Sequence, residues 1–166
     1  MPNQAGFMLS FDDDYVAEWY ALRPLLDRHQ VRATFFLTRP HRLTAEAKAQ
    51  VRTLAAEGHE IGAHGFEHLP VDFHYGADPS RAGEYEREEV LPALAALRDI
   101  GLDPRSYSFP RGEHAPAFDE VVLRHFKTIR ITGRKRRFMP VQFNPALYRR
   151  PGAAGRIQGA LGLDER

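Results

Sequence analysis

The chain of 166 residues contains no cysteine, and that absence removes disulfides and thiolate chemistry together. Any metal it binds must rest on histidine and carboxylate ligands. No stretch approaches the ~18 consecutive apolar residues of a membrane span. The opening MPNQAGFMLS lacks the basic start and long apolar run of a secretion signal. The expectation is a cytoplasmic protein. Internal repeats, low-complexity tracts and obvious linkers are also missing, so residues 1–166 are expected to form a single domain. A net charge of +1 names no partner, and 43% hydrophobic with 27% charged residues excludes a disordered or fibrous chain.

Acid is scarce in one region only. From Arg124 to Leu163 there are ten Lys and Arg residues and no Asp or Glu. Residues 1–83 carry 8 basic and 11 acidic groups, against 15 and 11 in residues 84–166. The simpler reading is a solvated basic face; the sharper one is an anion-attracting surface beside a cleft. Aromatics do not interleave with the Arg134-Lys135-Arg136-Arg137 run, so no nucleic-acid partner is expected.

What is present is an alternation of short β-branched or aromatic runs with longer segments of helical period. Strands are expected at Phe7–Phe11, Val31–Leu37, His59–Ala63, Tyr107–Phe109 and Thr128–Thr132. Helices are expected after Asp14 as cap, with a kink at Pro24, and over Thr44–Glu57, Glu84–Arg98 and Ala115–Phe126. Pro70–Ser80 reads as a loop, and beyond Arg134 only one or two short extended pieces can be placed. Such alternation implies an α/β fold built on a parallel sheet or a (β/α) barrel.

Three groups able to do chemistry sit where strands end. Asp12, Asp13 and Asp14 follow the first strand. Alternation along extended backbone sends Asp12 and Asp13 in different directions, so one can hold a metal while the other faces a substrate. His64 and His68 follow the third strand at a spacing that suits one ion. Asp13 and His64 are 51 positions apart, near two βα units at the ~30 residues per unit of a barrel, which brings both strand ends to one rim. Gly62 and Gly65 place the histidines on a strand end and short turn, not on a long helix. Pro110, Arg111 and Gly112 fix a turn after the fourth strand whose N–H groups can point into a cleft. His59 alternates with Ile61 and reads as structural.

Together these segments resemble the polysaccharide deacetylase family, the NodB-like carbohydrate esterases of family 4. The T/S-F-D-D-G motif is matched by Ser10-Phe11-Asp12-Asp13, with Asp14 in place of glycine. A-T-F-F is matched by Ala33–Phe36, and G-H-E-I-G-x-H-[ST]-x-x-H by Gly58–His68, with Gly65 in place of Ser/Thr. The resemblance implies a distorted, incomplete (β/α) barrel with parallel strands. It implies one divalent metal on Asp13, His64 and His68, Zn2+ first, with Co2+ or Ni2+ as alternatives. Asp12 is then the general base for a metal-bound water that removes acetyl groups from N- or O-acetylated carbohydrate. Pro110, Arg111 and Gly112 become substrate-binding, with an N–H near Arg111 on the oxyanion.

The sequence also departs from the family. Ser108 replaces the arginine that braces the base, leaving Arg111 as the expected substitute. The acidic, Trp-containing fourth motif and the L-x-H fifth motif have no counterpart, so His114 or another group must donate the leaving-group proton. At 166 residues the chain is short for a barrel of about 200–250 residues, which predicts an open barrel edge, covered by a homo-oligomer or by further chain. The basic C-terminal stretch suggests an anionic acetylated sugar. The alternative from another class is a carbohydrate- or metal-binding domain without turnover, and an iron oxygenase with two His and one carboxylate is a third reading.

Overall fold

The computed structural model describes residues 8–131 and the backbone of a strand at 141–143. Of the basic stretch behind the expected anionic substrate, Arg124, Lys127 and Arg130 are described; the Arg134–Arg137 run and the remainder lie outside the described residues. Five parallel strands follow one another in sequence order across the sheet: β1 (Leu9–Asp13), β2 (Ala33–Leu37), β3 (Glu60–Ala63), β4 (Ser106–Ser108) and β5 (Thr128–Arg130). β6 (Val141–Phe143) pairs antiparallel with β5. The parallel strands curl into a half-barrel, the incomplete (β/α) barrel expected from the sequence. β1 has no partner on its outer side among the described residues.

β2 is buried at all five positions, as a central parallel strand covered on both faces must be, whereas every residue of β1 is partly exposed. Phe35, fully buried, gathers Phe11 (5.3 Å), Trp19 (5.1 Å) and His59 (5.5 Å) around its ring. His59 is structural as expected: its Nδ1 accepts from Ala33 N at 3.2 Å, and burial holds its pKa below the ordinary value. A second aromatic group, Tyr75, Tyr85, Tyr107, Phe109 and Phe118, fills the space between β4 and the helices above it.

The helices are α1 (Val16–Ala21), α2 (Arg23–Arg28), α3 (Ala45–Ala56), α4 (Val71–Tyr75), α5 (Ala82–Tyr85), α6 (Leu91–Asp99) and α7 (Pro116–Leu123). Pro24 does more than kink its helix: the chain breaks at Leu22 into α1 and α2, with the proline in the first turn of α2. Asp14 is not the cap expected of it. Tyr15 holds that position without a side-chain bond, and the Asp14 carboxylate faces Arg39 at 3.7 Å. Thr44 caps α3, accepting from Ala47 N at 3.1 Å. α3 ends where Gly58, at φ +89°, donates to Ala55 O and His59 N donates to Leu54 O, which satisfies its last carbonyls. The Pro70–Ser80 loop contains α4 and a 3₁₀ turn, Pro79–Arg81.

The helix expected over Glu84–Arg98 is interrupted by one wider π turn, Glu86–Val90, between α5 and α6. Pro92 supplies no N–H to the carbonyl of Glu88 four residues back, and the wider turn accommodates that loss.

Candidate metal centre on the rim of the half-barrel

Strand register assembles the site. Asp12 lies opposite Phe36 and Asp13 opposite Leu37; Leu37 pairs with Ala63, the residue before His64; Ser108 pairs with Arg130. Parallel strands therefore end together on one rim with their chemistry-bearing residues side by side. Asp13 does not keep the extended backbone that strand alternation assumes: its φ is +84°.

Asp13, His64 and His68 meet, each offering one ligand atom. The two Nε2 atoms are 3.2 Å apart, and Asp13 Oδ1 lies 3.3 Å from His68 Nε2 and 3.8 Å from His64 Nε2. Metal–ligand bonds of about 2.0–2.2 Å in a tetrahedron set ligand atoms ~3.4 Å apart, so this triangle fits one small divalent ion. The His64 ring is oriented by its other nitrogen: Nδ1 lies 2.8 Å from the Ser108 carbonyl, which can only accept. That fixes the proton on Nδ1 and leaves Nε2 as a bare acceptor facing Asp13 and His68. Burial, the dominant influence on each ring, lowers the pKa of both His64 and His68, favouring the neutral form that ligates.

The loop between the two histidines is tightly constrained. It is a turn and not a helix, with Gly65 at φ +80° and His68 at φ +66°. Thr38, fully buried, donates from Oγ1 to the Gly65 carbonyl at 3.2 Å, and His64 N donates to Leu37 O at 2.9 Å.

Asp12 sits beside this triangle, close enough that its charge favours the protonated form of His64. Its Oδ2 accepts from the Arg130 guanidinium, while its Oδ1 is buried without a partner. Arg130 also donates from Nε to Ser108 Oγ at 3.2 Å and lies over the Phe36 ring, 5.0 Å from its centroid. Gly62 makes room for that ring, since a Cβ there would come within 2.6 Å of it.

This corrects one expectation. Arg111 is not the partner of Asp12: its side chain is 64% exposed and pairs with Glu113 at 3.3 Å. The partner of Asp12 is Arg130, which lies inside the strand expected at Thr128–Thr132. Its place on the rim is set by where β5 stops, two residues before the end expected from the sequence. Pro110 and Gly112 form the turn expected of them, with Arg111 at φ +58° between them. His114 follows, its Nδ1 3.1 Å from both oxygens of Asp119. That hydrogen bond raises the His114 pKa against the opposing effect of burial.

The half-barrel and its triangle define an α/β chain with a metal-competent site on the carboxyl rim of its strands. Residues 2–127 match the model of the polysaccharide deacetylase family, and the chain belongs to that family. The match stops three positions short of Arg130. Among curated proteins none matches the sequence.

Solved structures with the same fold include a family 4 carbohydrate esterase from Streptomyces lividans in complex with acetate, 20% identical with a TM-score of 0.60, covering 76% of this chain and 62% of that one. A peptidoglycan N-acetylglucosamine deacetylase is 25% identical with a TM-score of 0.59, covering 76% of this chain and 56% of that one. A family 4 acetyl xylan esterase from Clostridium thermocellum in complex with a cobalt ion is 22% identical with a TM-score of 0.53, covering 70% of this chain and 54% of that one. The chain thus spans little more than half the length of these structures. No helix among the described residues is long and apolar enough to cross a membrane.

Proposed function

We propose that this chain carries the hydrolytic centre of a metal-dependent deacetylase acting on acetylated carbohydrate, with N-acetylated sugars as the substrate class. The observation that carries the reading is the Asp13–His64–His68 triangle with Asp12 beside it, one oxygen held by Arg130 and the other buried without a partner. The acetate and cobalt ion named with two of the related structures support it. The residues fit Zn2+, with Co2+ and Ni2+ as alternatives that the same donors accept.

Asp13, His64 and His68 would hold a divalent ion, which when bound would supply Lewis acidity toward the acetyl carbonyl and make a neighbouring water more acidic. Asp12 takes up the proton that the attacking water releases. Its free Oδ1 is the accepting atom, because Oδ2 is occupied by Arg130. Arg130 keeps that carboxylate from rotating. In the Pro110–Gly112 turn, Gly112 N donates to Phe109 O and Glu113 N to Pro110 O. Pro110 has no N–H, so the Arg111 N–H is the donor left in that turn to face an oxyanion.

When the C–N bond breaks, the amine needs a proton. We assign its delivery to His114, whose Nδ1 is engaged by Asp119 and whose Nε2 remains to donate. Acetate and the free amine are the products.

Acetate release from N-acetylglucosamine oligomers by zinc-loaded protein, abolished in Asp12→Asn, tests the reading. Zinc content should vanish in Asp13→Ala and in His64→Ala. A competing reading, a carbohydrate- or metal-binding domain without turnover, draws on the missing fourth and fifth motifs. It predicts bound zinc with no acetate released from any acetylated sugar.

A further inference from the structure

Glu89 is fully buried, yet it does not belong to the metal triangle. It comes from the π turn between α5 and α6, where the sequence reads as one of several acids favoured by a helix start. Its carboxylate points instead into the loop that joins the two histidines. Oε1 accepts from Glu67 N at 2.9 Å and Oε2 from Leu69 N at 3.1 Å, and the Phe66 N–H contributes as well. These amides lie between His64 and His68 or directly follow them.

Gly65 completes the arrangement. A Cβ there would come within 2.4 Å of Glu89 Oε2, 3.3 Å of Pro110 Cγ and 3.5 Å of Tyr107 Oη. The carboxylate occupies the space that a side chain at position 65 would need. A buried carboxylate that accepts several backbone N–H bonds is held rigidly, because losing any of them leaves a charge or a donor unsatisfied. The loop is in turn held to it.

We propose that Glu89 is a positioning residue for the metal site: it fills the space left by Gly65 and fixes the backbone of residues 66–69, so that the His64 and His68 Nε2 atoms converge on Asp13. The inference rests on the reading of His64 and His68 as ligands. It adds a contribution from α5–α6 to a centre otherwise built on strand ends. Partners one layer out from metal ligands typically change affinity by about 10–100-fold when removed.

The test is zinc affinity, measured by competition with a chromogenic chelator, together with the visible spectrum of the Co2+-loaded protein. Glu89→Gln keeps the shape but replaces one acceptor oxygen by an amide that faces a donor. We expect its zinc dissociation constant to rise about 10–100-fold, with an altered cobalt spectrum and native circular dichroism at the assay temperature. A role confined to fold stability would lower the unfolding temperature of metal-free protein while leaving affinity and spectrum unchanged, and that result overturns the proposal. Should Glu89→Gln fail to fold, Glu89→Asp decides, since it keeps the charge but withdraws the carboxylate from the Glu67 and Leu69 amides. Wild-type affinity there also overturns it. Wild-type affinity in His64→Ala would remove the ligand reading itself, and this inference with it, and so is distinguishable from a failure at Glu89 alone.

Discussion

Arg130, the last residue of β5, donates to Asp12, the penultimate residue of β1, across a sequence separation of 118. Three strands lie between them in the sheet, and only the curl of the half-barrel brings them together. The pair is partly buried, with Arg130 24% and Asp12 32% exposed, so water does not fully replace the guanidinium if it is lost.

Arg130→Ala should therefore lower kcat/KM for acetate release by about 10²-fold, the cost of a base that is no longer held in place. Zinc content should not change, because Arg130 touches none of the three ligands. Arg130→Lys should recover only part of the loss, since an ammonium cannot reproduce the fork that reaches both Asp12 and Ser108. Steady-state kinetics with parallel metal analysis distinguishes this from loss of the site, and unchanged kinetics in Arg130→Ala would remove the assignment.

Arg111 should behave differently. Its side chain is exposed and pairs with Glu113, on the Pro110–Gly112 turn. Arg111→Ala should raise KM by a few fold and leave kcat intact, the pattern of a group that binds ground and transition states alike. A fall in kcat matching that of Arg130→Ala would return the bracing role to Arg111.

These two arginines show where the sequence was legible. Residue types at strand ends were readable, because strand patterning is local: Asp13, His64 and His68 come together at the ends of β1 and β3. Arg130 was not, because its partner is chosen by closure of the half-barrel. Asp14 failed as a cap because Arg39, from the loop after β2, faces its carboxylate. Glu89 was hidden by the π turn, which breaks the 3.6-residue period by which a helix face is counted. α4, at five residues, is too short for periodicity to reveal.

His114 offers a prediction that separates proton donation from binding. An activated aryl acetate departs without help from an acid, whereas an amine must be protonated as it leaves. His114→Ala should lower the rate on N-acetylated sugar by about 10²-fold or more, the usual contribution of a general acid. The rate on a nitrophenyl acetate should stay close to wild type. Equal losses on both substrates would argue against an acid role.

The same residue makes stability depend on pH. Asp119 raises the pKa of His114 in the folded protein above its ordinary value of 6.5. Stability from a raised group is fully present below the unfolded pKa and is lost as pH rises through the folded one. Asp119→Asn should therefore destabilise the protein more at pH 5.5 than at pH 9, measured by urea unfolding of the metal-free chain. A larger effect at pH 9 would reverse the sign and exclude this origin.

The order in which the chain emerges during synthesis divides the centre in time. Asp13, His64 and His68 are all present once residue 68 has been made, at the end of β1 and in the turn after β3. Glu89 follows soon after, but Arg130 arrives only near the end of the described chain. At ~5–20 residues per second, several seconds separate His68 from the residue that holds the Asp12 carboxylate. Ser108, whose carbonyl orients the His64 ring, and Arg130, which holds the Asp12 carboxylate, are both made after the residues they position, so docking of the fourth and fifth strands completes what the first three begin.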